Sequence, residues 1–289
     1  MAYPFLQDVV RALTGWQIWL PLPTFGLMLA AGALSGFAVF HKIVKEYEAD
    51  GRLPTRPVAM SANISDFATV LMIGGLIGAR VFSILEDPTD FFSDPIGILF
   101  SSGGLAIYGG IICGFTSGYV YVRRKKLPAR VIADASAAGL MISYAVGRIG
   151  CQISGDGDWG IPADLSLKPA WLPEWFWVQS YTHNVVGRVI PPPGVYPTPL
   201  YESAAAFLLF AILYLMRNHR FGAGWLFALY LFLAGAERFF IEKIRVNVKY
   251  SVGSWHFTQA ELISVIFMAL GLAGMGFYMR HRSEQKSPA

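Results

Sequence analysis

The sequence predicts an all-α polytopic membrane protein with seven transmembrane helices, the N-terminus outside and the C-terminus cytoplasmic. Hydrophobic residues make up 54% of its 289 positions and charged residues 15%. With a mean hydropathy of +0.47, that is a balance rarely seen in a water-soluble domain of this length. Apolar runs close to the roughly 20 residues that span a bilayer as a helix fall near 18–40, 67–85, 102–122, 131–153, 200–216, 223–243 and 260–279. Basic residues, finally, crowd into every second connection, which fixes the orientation.

The first run is too long for the apolar core of a cleavable signal and lacks a basic segment just before it, so it reads as a retained helix. It leads into Lys42, Lys45, Arg52 and Arg56, which mark the cytoplasmic side. The second run holds Gly74 and Gly78, a spacing suited to close helix packing, and "GARVF", where Arg80 could snorkel outward or pair with Glu86. No basic residue stands between Asp87 and Gly97, as an outer connection requires. The third run, "SSGGLAIYGGIICG", sets Tyr108 between glycine pairs and continues the small-residue spacing through Gly110, Gly114 and Gly118. It stops at Arg123, Arg124, Lys125 and Lys126, with Arg130 opening the fourth run.

The fourth run ends in "SYAVGRIGCQISGDGDWG", and residues 154–199 then form one long outer segment rich in Pro, Trp and Asp. Its Trp171, Trp175, Phe176 and Trp177 suit either a piece lying at headgroup level or a small aromatic core of its own. The fifth run opens with "YPTPLYES" on the outer side and closes on Arg217 and Arg220. The sixth ends outside in "GAERFFIEKIRVN", and the seventh ends inside with Arg280, Arg282 and Lys286. Residues 1–289 thus read as a single membrane domain. The net charge of +4 follows from the cytoplasmic bias and implies no nucleic-acid partner. Cys113 and Cys151 fall in or at the end of spans, where a small buried thiol is commoner than a disulfide.

Charge inside hydrocarbon is expensive enough that each case needs a partner or a purpose. Arg148, flanked by glycines that permit close approach, is planar and permanently charged and so fits a phosphate in bidentate fashion. Asp156 and Asp158 follow in a glycine-rich turn and could neutralise it. Arg238, Glu242 and Arg245 are spaced to share a helix face. Glu242 offsets only one of the two arginines, leaving a positive surplus for an anionic headgroup. Tyr201 and Glu202 bring a phenol and a carboxylate to the outer start of the fifth run.

Together these motifs resemble the prolipoprotein diacylglyceryl transferase family over nearly the whole chain. "GRIGCQISGDGDWG" approximates its glycine-arginine signature, "YPTPLYE" its histidine-proline segment, "GGLAIYGG" its third-helix motif and "GARVF" its second-helix arginine motif. "ERFFIEKIR" matches its sixth-helix ending and "TQAELIS" the start of its last helix. The resemblance implies transfer of the diacylglyceryl group of phosphatidylglycerol to the lipobox cysteine of a preprolipoprotein in the bacterial inner membrane. A thioether forms and glycerol phosphate leaves, without metal or cofactor. It assigns Arg148 and Arg245 to the phosphate, places Tyr108 where many members carry a catalytic histidine, and places Asp156, in preference to Asp158, at the signature's acidic position, so that Arg148, Arg245, Tyr108 and Asp156 are the expected catalytic residues. Arg80, Cys151, Asp158, Tyr201, Glu202 and Arg238 fall around the substrate by the same correspondence. The chain departs from the pattern at Phe25, Tyr108, Cys151, Gly157 and Tyr196. Loss of polar groups at Phe25, Tyr108 and Cys151 supports an alternative: a lipid-binding scaffold without the chemistry, or a paralogue serving another acceptor. A small-solute transporter is disfavoured, because no inverted repeat or pair of broken helices is evident.

Overall fold

The computed structural model describes residues 2–55, 59–100, 106–252 and 255–286. Its helices are α1 (Leu6–Thr14), α2 (Thr24–Ala49), α3 (Ile64–Glu86), α4 (Pro88–Ser93), α5 (Pro95–Phe100), α6 (Ile107–Arg124) and α7 (Ala129–Ser154). They continue with α8 (Glu174–Trp177), α9 (Thr198–Leu215), α10 (Trp225–Glu242) and α11 (Gln259–Lys286), with strands β1 (Lys249–Val252) and β2 (Trp255–Thr258) before the last. Each apolar run has become one long helix. Among the described residues, five are long and apolar enough to cross a membrane: Thr24–Ala49, Ser61–Glu86, Ala129–Ser154, Thr198–Asn218 and Gln259–Arg280. The protein is thus mostly helical and multi-pass. α6 and α10 each have 18 residues, about 27 Å at 1.5 Å per residue, but α6 ends on two arginines and α10 carries Glu237, Arg238 and Glu242.

The chain divides into two compact units, one of residues 1–40 with 133–289 and one of 41–132. In the second unit α3 and α6 pack on glycine. A Cβ at Gly78 would lie 2.4 Å from the Gly109 carbonyl, and one at Gly74 would lie 2.3 Å from the Ser117 Oγ. The small-residue spacing read from the sequence is therefore a helix contact. The stretch "GGLAIYGG" lies partly outside the described residues, which resume at Ala106.

In the first unit α2 meets α7 the same way: a Cβ at Gly139 would stand 2.7 Å from the Gly36 carbonyl. The Ser143 hydroxyl donates to the Gly32 carbonyl (2.9 Å). α10 lies against α11 at Gly235 and Gly271, where an added Cβ would come within 2.7 Å of Ser264 O and 2.6 Å of Phe232 N. Asp134, buried in α7, accepts the Gly224 N–H (2.7 Å) and the Phe227 N–H (2.9 Å). It thereby satisfies donors that the first turn of α10 cannot pair internally.

The long segment between α7 and α9 is folded. Trp159 stacks on Tyr181 at 5.3 Å, Ala2 and Val195 complete a small core with them, and the Tyr181 hydroxyl donates to Gln152 at the end of α7 (2.7 Å). Of the tryptophans at 171–177, Trp171 and Trp175 are exposed, while Trp177 packs edge-on against Tyr196. The aromatic core is built around Trp159 and Tyr181, and the 171–177 cluster leaves two large rings outside it. Among the described residues, α1, α4, α5, α8 and the β1–β2 hairpin had no counterpart in the sequence reading. All are shorter than a span.

Candidate active site

Three backbone devices carry the turn after α7 to the arginines. Gly155 and Gly157 adopt φ of +64° and +99°, a region that glycine enters at no steric cost, in the turn that leads to Asp158. Asp156 then accepts the Asp158 N–H (3.2 Å), an Asx-type closure. Finally, Gly160 pairs with Arg245 in an antiparallel bridge, with Gly160 N–H donating to Tyr196 O (2.9 Å) and Ile161 N–H to Ile244 O (2.8 Å). A side chain at 160 would press within 2.6 Å of Ile244 O. This stitch sets Asp158 beside Arg245, and the Thr198 hydroxyl, at the head of α9, donates to the Asp158 carbonyl (2.6 Å).

Three arginines and three carboxylates meet there. Arg148, from α7, donates through Nη1 to Asp158 and lies with Nε 3.2 Å from Glu202 Oε2. Arg245 donates to Asp158 Oδ1 (2.5 Å) and to Glu202 Oε1 (3.1 Å). Arg238 reaches Glu202 Oε1 and Glu242 Oε2, both at 2.9 Å. Glu202, fully buried in α9, is thus the hub touched by all three guanidinium groups. The sequence reading had set Glu242 alone against Arg238 and Arg245 and expected a positive surplus; Glu202, together with Asp158, removes it. Arg245 also stands beyond the end of α10, so it reaches the cluster from the following turn instead of from a helix face.

Charge decides how Asp158 behaves. Burial raises its pKa, but the Arg245 and Arg148 guanidinium groups outweigh that, and the carboxyl is held below its ordinary value of 3.8. Burial also works against the Arg245 cation, and Glu202 and Asp158 more than offset it. Buried charges of this kind are stable only when paired on all sides. The Cys151 Sγ lies 3.7 Å from Arg148 Nη1, and ligand atoms of Cys151, Asp156 and Asp158 fall within 4.8 Å of one another. A cation there would have to displace guanidinium from both Asp158 oxygens.

The structure therefore gathers Arg148, Cys151, Asp156, Asp158, Glu202, Arg238 and Arg245. Tyr201 turns elsewhere: its hydroxyl donates to the Phe176 carbonyl (2.7 Å) and holds the 154–199 segment to α9. Arg80 and Tyr108 belong to the second unit, Arg80 partly exposed in α3 and Tyr108 50% exposed at the start of α6. The sequence reading missed Tyr144 and Glu237. The Tyr144 ring lies 5.1 Å from the Arg148 guanidinium carbon, and its hydroxyl donates to Glu237 (3.4 Å). Tyrosine at i−4 from a charged residue was the available signal.

A model of the prolipoprotein diacylglyceryl transferase family matches residues 14–277. Phosphatidylglycerol–prolipoprotein diacylglyceryl transferase of Symbiobacterium thermophilum is 31% identical over 233 residues, covering 79% of this chain and 81% of that protein. The enzyme of that name from Corynebacterium efficiens is 30% identical over 79% of this chain and 69% of its own length. That from Leptospira interrogans is 26% identical over 93% and 92%. By the extent of these matches, the chain belongs to the prolipoprotein diacylglyceryl transferase family.

Proposed function

We propose that this protein transfers the diacylglyceryl group of phosphatidylglycerol to the lipobox cysteine thiol of a preprolipoprotein, in the bacterial inner membrane. The observation that carries this is the cluster itself: two arginines, from α7 and the turn after α10, converge on the same two carboxylates, Asp158 and Glu202. Guanidinium groups held this way are preorganised for the phosphate that enters as a diester and leaves as a monoester.

In the reaction the thiol sulfur attacks the glycerol carbon bonded to phosphate oxygen, the carbon–oxygen bond breaks, and its electron pair leaves on glycerol phosphate. Arg148 and Arg245 stabilise that growing charge, and the entering phosphate competes with Asp158 for both. Arg238 and Glu242 brace Glu202 from α10. Asp156, beside Cys151 in the glycine turn, takes the thiol proton; by the family correspondence Tyr108 counts among the catalytic residues and Arg80 among those that bind substrate. The same reading includes seven spans in one membrane domain, the N-terminus outside, so that the cluster faces the outer leaflet.

The test is transfer of acyl-labelled phosphatidylglycerol to a lipobox peptide by the purified protein. Label on a cysteine peptide but not on its serine counterpart is the expected result; no label on either, with lipid still bound, contradicts it. A non-catalytic lipid-binding protein is the second reading, favoured by one observation: Arg148 is only 16% exposed and already paired twice.

A further inference from the structure

Arg148 makes contacts of two geometrically distinct kinds. Asp158 and the Cys151 sulfur lie at its N–H groups, which point outward in the guanidinium plane, and Glu202 Oε2 is 3.2 Å from its Nε. The Tyr144 ring lies at 5.1 Å from its central carbon. An incoming phosphate competes for the N–H edge and displaces carboxylates from it. It does not compete for a ring, because cation–π attraction draws on the ring's own quadrupole and needs no N–H donor.

Tyr144 stands four residues before Arg148 on α7, so the two share a helix face. Its ring is fixed at the far end by the hydroxyl, which donates to Glu237 Oε2 on α10 (3.4 Å). The other oxygen, Glu237 Oε1, is buried and has no hydrogen-bond partner among the described residues. A half-satisfied buried carboxyl is costly, and packing alone gives no reason to place one beside Arg238.

From this we infer that Tyr144, anchored by Glu237, is a positioning residue that keeps Arg148 aimed at the phosphate after Asp158 and Glu202 have yielded its N–H edge. The inference rests on the transferase reading above. It concerns charge stabilisation in the reaction more than ground-state binding, so its loss falls on kcat before KM.

The experiment compares kcat and the KM for phosphatidylglycerol in the full-length wild type, Tyr144→Phe, Tyr144→Leu, Glu237→Gln and Glu237→Leu. Phenylalanine and leucine both lose the hydroxyl and stay apolar, but only phenylalanine keeps a ring over the cation. Tyr144→Leu is expected to lower kcat about five- to thirtyfold, the range of a partly desolvated cation–π contact, with KM changing less. Tyr144→Phe should remain within about threefold of wild type. Glu237→Gln, which can still accept from the hydroxyl, should exceed Glu237→Leu in kcat. Equal kcat for Tyr144→Phe and Tyr144→Leu, or a change in thermal stability alone, overturns the inference. Should Tyr144→Leu fail to fold, the Glu237 pair decides, and equal kcat for Gln and Leu there is equally fatal. A wild type that transfers nothing removes the transferase reading and this inference together, whereas a transferring wild type with indistinguishable Tyr144 variants removes only the inference.

Discussion

Arg148 and Arg245 each touch both Asp158 and Glu202, and each is worth more than its charge. Arg148→Ala or Arg245→Ala is expected to lower the transfer rate by about a hundredfold or more, the scale of losing one preorganised donor at a developing oxyanion. Arg148→Lys should recover little, since an ammonium cannot serve a carboxylate and a phosphate from one fork. Asp158 brings a pH dependence with a definite sign. Its folded pKa lies below the ordinary 3.8, so its pairing stabilises the fold fully above the unfolded value and is lost as pH falls through the folded one. The melting temperature in detergent should therefore drop between about pH 5 and about pH 2, and Asp158→Asn should flatten that drop. If both proteins lose stability in parallel, Asp158 is not the group responsible. The arginines, Glu202 and Asp158 were legible in the sequence because charge in an apolar run demands an explanation. Tyr144 was not, since tyrosine in a span passes as an interface anchor, and Asp134 was not, since its partners are backbone N–H groups some 90 residues away.

Elements were easier to read than their junctions. Each hydrophobic run became a helix within a few residues of its expected ends, apart from α2, which starts at Thr24 and continues to Ala49, and α11, which runs on to Lys286. Both extensions follow polar sequence that a hydropathy reading discards but that helix propensity permits. The α1 helix and the β1–β2 hairpin escaped notice because neither is long enough to register as a span. The cap on α10 is a sharp test at this scale. Asp134→Ala leaves two buried N–H groups without an acceptor and is expected to cost about 1–3 kcal/mol, read as a lower melting temperature with the cluster's lipid affinity retained. A helix interface gives a second: Gly139→Leu would drive side-chain atoms into the Gly36 carbonyl and should abolish folding, while Gly147→Ala, with open space around it, should be tolerated.

For the whole molecule, the long segment between α7 and α9 is what turns separate helices into a site. Its core of Ala2, Trp159, Tyr181 and Val195 and the Gly160–Arg245 bridge deliver Asp158 to arginines from two different helical regions, a long-range pairing that no periodicity encodes. The proposed seven-span arrangement predicts that a cysteine introduced near the N-terminus reacts with an impermeant maleimide in intact cells, and that one placed at Lys125 reacts only after permeabilisation; the reverse pattern contradicts the proposed orientation. The central claim is that the arginine cluster handles the phosphate of a transferred lipid. It is tested most directly by following glycerol phosphate release and peptide mass together, in wild type and in Arg148→Ala. The account predicts equimolar glycerol phosphate and diacylglyceryl peptide from the wild type, and loss of both in the folded, lipid-binding variant. Undiminished products from Arg148→Ala would contradict it.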